Sequence, residues 1–313
     1  MNHGLSLIVG PPGTGKTDVA VQIISNWYNN FPDQKTLIIT HSNQALNQIF
    51  EKIMELDIDE KHLVRLGHGQ QKLDTKHDFS KSGRINHMLN QRSYLLSQVE
   101  HIAEAIGHPK DAGYSCETAE AFFNYHVSSK WDHYQANLDD NATAQDIIDQ
   151  FPFTKYFSRI ENLFPGETYQ DHMKRVQELY NYIQSIFEQL KECRPFELLR
   201  SSYDQGNYII TKQAKIVAMT CTHAALKSED LTKLGFKFDN LIMEEAAQVM
   251  EIETFVPLSF QEYQPETPPL LKRMVLIGDH NQLPPVVKNI GLQKYGKLDQ
   301  SLSTIIIQAD IIT

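Results

Sequence analysis

The octapeptide GPPGTGKT at residues 10–17 constrains the fold more than any other stretch of this chain. It fits the pattern G-x-x-x-x-G-K-[ST]. It also stands where that pattern has physical meaning, after the apolar run LSLIVG (5–10) and before an apolar-periodic helix near residues 15–30. Gly10, Gly13 and Gly15 let the chain wrap so that backbone N–H groups face inward, with Pro11, Pro12 and Thr14 filling the turn between them. The helix that follows adds its N-terminal dipole, which favours an anion. Lys16 is spaced to reach the β- and γ-phosphates of a nucleotide, and the Thr17 hydroxyl to ligate Mg²⁺. A chain of this length would match the pattern by accident on the order of one time in a hundred. The flanking strand and helix lower that figure further. The motif therefore requires an α/β sheet with a phosphate site at one end.

The rest of the pattern agrees at both ends of the chain. TLIIT (36–40) is a buried strand, and NQALNQIFEKIMEL (43–56) a helix with Leu46, Ile49, Phe50 and Ile53 on one face. HLVRLG (62–67), KIVAMT (215–220), FDNLIM (238–243) and RMVLIG (273–278) are further strands. Short apolar strands alternating with helices predict a parallel sheet covered on both faces. Residues 80–210 break the rhythm. Leu89, Leu96, Val99, Ala103 and Ile106 recur at helical spacing, as do Met173, Val176, Leu179, Tyr180, Ile183, Ile186, Phe187 and Leu190. These predict two long helices, with LDDNATAQD (138–146) and NLFPGETY (162–169) as loops. The expected organisation is a discontinuous α/β phosphate-loop domain over 1–80 and 211–303, a helical insertion over 81–210, and an atypical tail over 304–313. The insertion is either an arm that grips a substrate or partner, or helical padding.

Two more segments carry chemistry. NLIMEEAAQ (240–248) runs a buried strand into Glu244 and Glu245, and burying a charge is costly unless something pairs with it. In a nucleotide-binding fold of this kind, a strand beside the phosphate-loop strand ends in an acid that holds Mg²⁺. Glu244 is then the metal's carboxylate, and Glu245 the group that orients and deprotonates an attacking water. An exposed acidic helix cap is the competing explanation. It loses because MVLIGDHNQLPPVV (274–287) independently places Gln282 beyond another strand tip, where an amide can contact the γ-phosphate or the water.

Composition excludes less than it permits. A net charge of −10 argues mildly against a general nucleic-acid coat, but not against a local basic groove. The three cysteines lie far apart with no CxxC pair, against a disulfide framework or a zinc site and in keeping with a reducing compartment. Thirteen histidines are scattered without ligand spacing and read as exposed or structurally satisfied. No apolar run approaches the roughly 18 residues of a membrane span.

GPPGTGKT, TLIITHSNQALNQ (36–48), AMTCTHAAL (218–226), EEAAQ (244–248) and GDHNQLPP (278–285) together resemble the motifs of superfamily 1 helicases. The branch is the one that includes the nonsense-decay helicase, and within it the likeness is to spliceosomal, intron-binding members. It covers nearly the whole chain and corresponds to the first RecA-like domain. The resemblance implies that Gly10 to Thr17 bind ATP and Mg²⁺, that Glu245 activates water and that Gln282 senses the γ-phosphate. It implies that Thr40, Ser42, Asn43, Thr220, Thr222 and His223 meet an RNA backbone without reading sequence. For these six, capping their own helices carries equal weight. Intron RNA, spliceosomal proteins and a nuclear location follow from the likeness alone.

Most of that family carries Asp-Glu where this chain has Glu244-Glu245. The expectation is that an adenine-recognition segment ahead of the phosphate loop and a second RecA-like domain behind it are missing from this chain. That second domain would carry the arginine fingers, worth roughly 10³ to 10⁵ in rate in related enzymes. The expectation is a fragment that binds ATP–Mg²⁺ weakly and does not unwind alone. Two other functions fit part of the pattern: a non-catalytic RNA clamp or scaffold, and a ring-forming AAA-type ATPase, which shares GPPGTGKT.

Overall fold

A computed structural model describes residues 3–68, 75, 77–138, 143–166, 168–261 and 270–309 of the chain. The chain divides into two compact units, Met1–Arg84 with Gly206–Thr313, and Ile85–Gln205.

The first unit is built on six parallel strands: β1 (Gly4–Val9), β2 (Thr36–Thr40), β3 (Leu63–Arg65), β4 (Ile216–Thr220), β5 (Asn240–Glu244) and β6 (Arg273–Gly278). Their spatial order is β1-β6-β5-β2-β4-β3. Every residue of β2, β4, β5 and β6 is buried, which is why these strands read as continuous apolar runs and not as alternating ones. One face packs on α1 (Lys16–Asn30) and α2 (Asn43–Met54). Ile24 and Trp27 from α1, and Leu46, Phe50 and Ile53 from α2, close over Ile38, Ala218, Ile242 and Val275. Each such aliphatic side chain, fully buried, stabilises by roughly 1.5–3 kcal/mol. The opposite face presents Leu37, Ile39, Val217, Met219, Leu241 and Met243, all buried, with Phe236, Phe238 and Phe260 among the buried aromatics of the same unit.

One expectation about strand order is corrected. The neighbour of β1 is β6, and β5 lies one strand further in. The reason is in the register. Gly4 to Val9 pair residue for residue with Arg273 to Gly278, and the ladder continues past the strand ends through the Gly10 N–H, which donates to Gly278 O at 3.2 Å. The carboxyl ends still align. Val9 lies opposite Gly278, and Thr40 opposite both Glu244 and Thr220. Ligands of open α/β sheets bind at this edge.

The second unit is helical. It holds most of α3 (Lys81–Ile106), then α4 (Cys116–Phe122), a π-helical turn (Phe123–Val127), α5 (Ser128–Asn137), α6 (Ala144–Gln150) and α7 (Tyr169–Leu198). The apolar stripe of α7 is close to the expected one, with Val176, Leu179, Ile183, Phe187 and Leu190 buried and Met173 partly exposed. That of α3 is rotated only in its first half. Val99, Ala103 and Ile106 are buried as expected, whereas Leu89 is exposed and Leu96 half-buried, and Met88 and Leu95 face in instead. Choosing 89 and 96 over 88 and 95 mislays that half by one residue, about 100° of turn. Gln91 bonded to Gln189 at 3.0 Å, and Arg92 paired with Glu197 at 3.1 Å, tie α3 to α7. Helices α4, α5 and α6 are short, and their sequence patterns are too weak to announce them. The stretch 138–146 read as a loop lies partly outside the described residues, and Ala144 already opens α6. After Gln205, α8 (Ser202–Tyr208) returns the chain to the sheet. The short helices α9 (Cys221–Leu226), α10 (Ser228–Lys233), α11 (Glu251–Leu258), α12 (Ile290–Gly296) and α13 (Leu302–Gln308) complete the first unit. Helix α13 occupies the start of the stretch read as an atypical tail; residues 310–313 lie outside the described ones.

Candidate nucleotide site

The loop from β1 to α1 is shaped by glycine. Gly13 and Gly15 take φ of 77° and 81°, the left-handed region that side chains with a Cβ avoid. A Cβ on Gly10 would stand 2.9 Å from Thr14 Oγ1. Thr14 Oγ1 donates to Pro11 O at 2.8 Å and closes the turn. Gly15 caps α1 without a side-chain acceptor, so the first N–H groups of the helix face the loop. Lys16 folds back over it, and its Nζ donates to Gly10 O at 2.7 Å and Pro11 O at 2.8 Å. An incoming phosphate would compete with those two carbonyls for the ammonium. A charged oxygen is the stronger acceptor.

The second segment arrives from β5. Glu244 is 6% exposed at the strand's last residue, and Thr17 Oγ1 donates to its Oε1 at 2.5 Å. Burial pushes the Glu244 carboxyl up from its ordinary value. The Thr17 bond pulls it back, and the Glu245 charge beside it pushes the same way as burial. Its other oxygen, Oε2, is buried with no hydrogen-bond partner. Leaving a buried acceptor unpaired costs about 1–3 kcal/mol. A hard divalent cation is the group such an oxygen suits, and the donors present, a hydroxyl and a carboxylate, are those Mg²⁺ takes. The residues therefore fit the metal that the motif implies.

The backbone of Glu245 is as unusual as its charge. It sits at φ 57°, ψ 32°, a left-handed conformation for a non-glycine residue. Such strain costs about 1–3 kcal/mol and clusters at functional sites. The turn lets the chain leave β5 sharply into the short helix Ala246–Gln248, which packs against the tip of β6. The approach is close enough that a Cβ on Gly278 would meet the Ala247 backbone N at 2.9 Å.

The third segment follows β6. Asp279 accepts from the Asn281 N–H at 3.0 Å and from Gln282 Nε2 at 3.1 Å, and these bonds hold its carboxyl below the ordinary range, with the Lys16 charge adding to them. Lys16 thus acts electrostatically on both Glu244 and Asp279. Asp279 is the positioning group for Gln282.

The six residues expected at nucleic acid fall around the ends of β2 and β4. Ser42 and Thr220 do cap their helices, accepting from Ala45 N–H at 3.1 Å and His223 N–H at 3.2 Å. Each hydroxyl keeps its own proton to donate. Thr40 is buried and donates to Ser42 O at 2.8 Å, while Thr222 is exposed. Asn43 Oδ1 accepts from Arg65 Nη2 at 2.9 Å, and Asn47 Oδ1 from Arg65 Nε at 3.0 Å. Arg65 is fully buried and organises this corner, a part the sequence reading missed. The available signal was a lone Arg inside the apolar strand HLVRLG. His223 packs against Gly67, which takes φ 97° and where a Cβ would stand 3.2 Å from the His223 Nδ1. Burial lowers the His223 pKa, and Lys227, His68 and Arg65 lower it further.

A parallel sheet with this loop, the buried acid on a non-adjacent strand and the amide-bearing third tip define a RecA-like P-loop nucleotide-binding domain. A family model described as an AAA domain matches residues 1–290, and the chain belongs to that family. It is 52% identical over 322 residues to the mouse RNA helicase aquarius, a match that covers all of this chain and 22% of that protein. It is 28% identical to the pre-mRNA-splicing factor cwf11 of Schizosaccharomyces pombe, over 88% of this chain and 21% of that protein. The helicase sen1 of the same yeast is 25% identical, over 91% of this chain and 16% of its own length. The chain thus spans about a fifth of the length of these relatives.

Proposed function

We propose that this chain is the ATP-binding motor domain, the first RecA-like domain, of a superfamily 1 RNA helicase acting in pre-mRNA splicing in the nucleus. The observation that carries the nucleotide reading is the Thr17–Glu244 bond beside an unpartnered, buried Glu244 Oε2. Similarity to an RNA helicase and to a pre-mRNA-splicing factor supports the substrate and the setting. They also favour a helicase over a ring-forming ATPase.

The roles follow from placement. Gly10 to Gly15 and the start of α1 cradle the phosphates with backbone N–H groups, and Lys16 exchanges its two carbonyls for phosphate oxygens. Thr17 and Glu244 hold Mg²⁺, which when bound offsets the charge of the β- and γ-phosphates. Glu245, aimed by its strained turn, orients the attacking water and accepts its proton. Gln282, held by Asp279, contacts the γ-phosphate or that water. Thr40, Ser42, Asn43, Thr220, Thr222 and His223 grip the backbone of single-stranded RNA through phosphate contacts that carry no base information. In a protein of the relatives' length, a second RecA-like domain supplies the arginines and the opposing jaw, and spliceosomal proteins supply the setting.

The test is RNA-stimulated ATP hydrolysis by the full-length parent, with Lys16→Ala and Glu245→Gln variants beside it. Loss of turnover in both supports the motor. Unchanged turnover in both rejects it and leaves a non-catalytic RNA clamp.

A further inference from the structure

We propose that the helical unit binds a late first-row divalent metal ion, Zn²⁺ in type, through His108, Asp111 and His126. The three residues are 3 and 15 positions apart in sequence and show no ligand spacing of the usual kind. The fold makes the site.

Helix α3 ends at Gly107, which takes φ 84° and terminates the helix, with the His108 N–H donating back to Ala103 O at 2.8 Å. The chain then turns, and Asp111 N–H donates to His108 O at 3.1 Å, which brings the two side chains together. His126 comes from the π-helical turn Phe123–Val127. A π-turn holds one residue more than an α-turn, which re-aims a side chain, and such turns recur at functional sites. The buried Phe122 ring backs the His126 imidazole at 5.2 Å between centroids.

The geometry points to a metal. His108 Nδ1 and His126 Nε2 each lie 3.4 Å from the same oxygen, Asp111 Oδ2. All the ligand atoms lie within 4.8 Å of one another; the ring centroids, 4.3 Å apart, stand closer than the roughly 5 Å of two imidazoles on one tetrahedral ion, so binding turns the rings apart. An N–H···O bond would sit at about 2.7–3.2 Å. Bonds of about 2.0–2.1 Å at tetrahedral angles put ligand atoms about 3.3–3.4 Å apart. Octahedral Mg²⁺ would draw them to about 3.0 Å. Two imidazole nitrogens and one carboxylate oxygen suit Zn²⁺, Co²⁺ or Ni²⁺ over Mg²⁺. Asp111 is half exposed, which leaves the fourth position open to water. A metal here pins the end of α3 to the π-turn.

The test uses the full chain, stripped with a chelator and titrated with Co²⁺ and then Zn²⁺ in excess Mg²⁺. The expected result is one Co²⁺ per chain with the intense visible bands of four-coordinate cobalt, displaced by Zn²⁺. His108→Asn, His126→Asn and the near-isosteric Asp111→Asn, each checked for helix content, should lose the bands and bind Zn²⁺ more than about tenfold more weakly. Zn²⁺ should raise the melting temperature of the unaltered chain and not of the variants. Should the variants misfold, Co²⁺ should still shift the imidazole resonances of two histidines in the unaltered chain. Bands that survive in the His108→Asn/His126→Asn double variant would overturn the site. So would the absence of saturable binding or of any imidazole shift.

Discussion

In the sheet unit, the reactive groups stand at the carboxyl ends of strands held in register. Thr17 meets Glu244 because the loop after β1 and the end of β5 are set by a ladder of backbone hydrogen bonds. In the helical unit, His108, Asp111 and His126 meet because a helix stops, a turn follows and a π-turn rotates a third side chain inward. The first arrangement is dictated by backbone geometry that only certain residues permit, so it leaves words in the sequence: glycines at fixed offsets, an acid after an apolar run. The second depends on side-chain packing across some fifteen residues and leaves none. Chemistry written in backbone should therefore be brittle to single changes. Chemistry assembled by packing should fail together with the packing.

The largest expected effect tests the brittle half. Lys16→Ala removes an ammonium that acts on both Glu244 and Asp279. Turnover by the parent protein should fall by about 10² or more, the scale of losing one preorganised electrostatic group. Urea unfolding of the chain should change little, because the hydrogen bonds of the side chain go to two carbonyls of its own loop and its charge is a minor influence on Glu244 and Asp279. A large loss of stability instead would mean that Lys16 holds the loop together, and the contrast between the units would collapse.

The packed half is broken at Trp131. Its ring stacks on Tyr180 with centroids 4.1 Å apart and planes 4° from parallel, and it is 5% exposed. Trp131→Ala should destabilise by about 3–5 kcal/mol. The chain has two tryptophans, so in this variant fluorescence reports Trp27 in the sheet unit alone. Loss of helical circular dichroism at lower urea than loss of Trp27 fluorescence would show the helical unit failing by itself. Co²⁺ binding at the proposed metal site should disappear with the helical signal.

Legibility follows the same division. TLIIT and RMVLIG match β2 and β6 residue for residue, since strands buried on both faces are unbroken apolar runs. Glu244 and Thr17, named from sequence, are bonded to each other in the fold. Strand order was not legible, because no residue announces that β6 enters between β1 and β5. Nor was Arg65, whose partners Asn43 and Asn47 are on a neighbouring helix. Val99, Ala103 and Ile106 of α3 are buried as expected, but the first half of the stripe lies one position off because Leu95 and Leu96, like Met88 and Leu89, are adjacent and alike. Only packing decides which of them faces in.

A smaller effect sits beneath the sheet unit's sound core. His62 Nδ1 is 2.7 Å from the Tyr28 hydroxyl, and burial, then the Lys215 charge, lower its pKa to about 4. The folded imidazole stays neutral while the unfolded one takes a proton near its ordinary value of about 6.5. Stability from this group is therefore full above about pH 6.5, drains as pH falls towards about 4, and is flat below. Discounted for partial exposure, the loss should be about 1–2 kcal/mol. His62→Asn should flatten that part of the urea-midpoint profile. A slope unchanged by the substitution would assign the acid sensitivity elsewhere.

The smallest expected effect is the most informative about the brittle half. Glu245 holds φ 57° with a side chain that prefers otherwise, whereas Asn accepts the left-handed region more readily than most residues. If the turn is strained in order to aim a carboxylate, Glu245→Asn should relieve strain and lose chemistry together. The chain should gain up to about 1 kcal/mol in urea unfolding, while the parent protein loses turnover and keeps its affinity for nucleotide. A residue kept for stability would show the reverse pairing, lower stability with turnover intact. The sign of the stability change therefore separates the two explanations even though its size is small. It does so at the one position where the sequence supplied the charge and the fold alone supplied the direction in which it points.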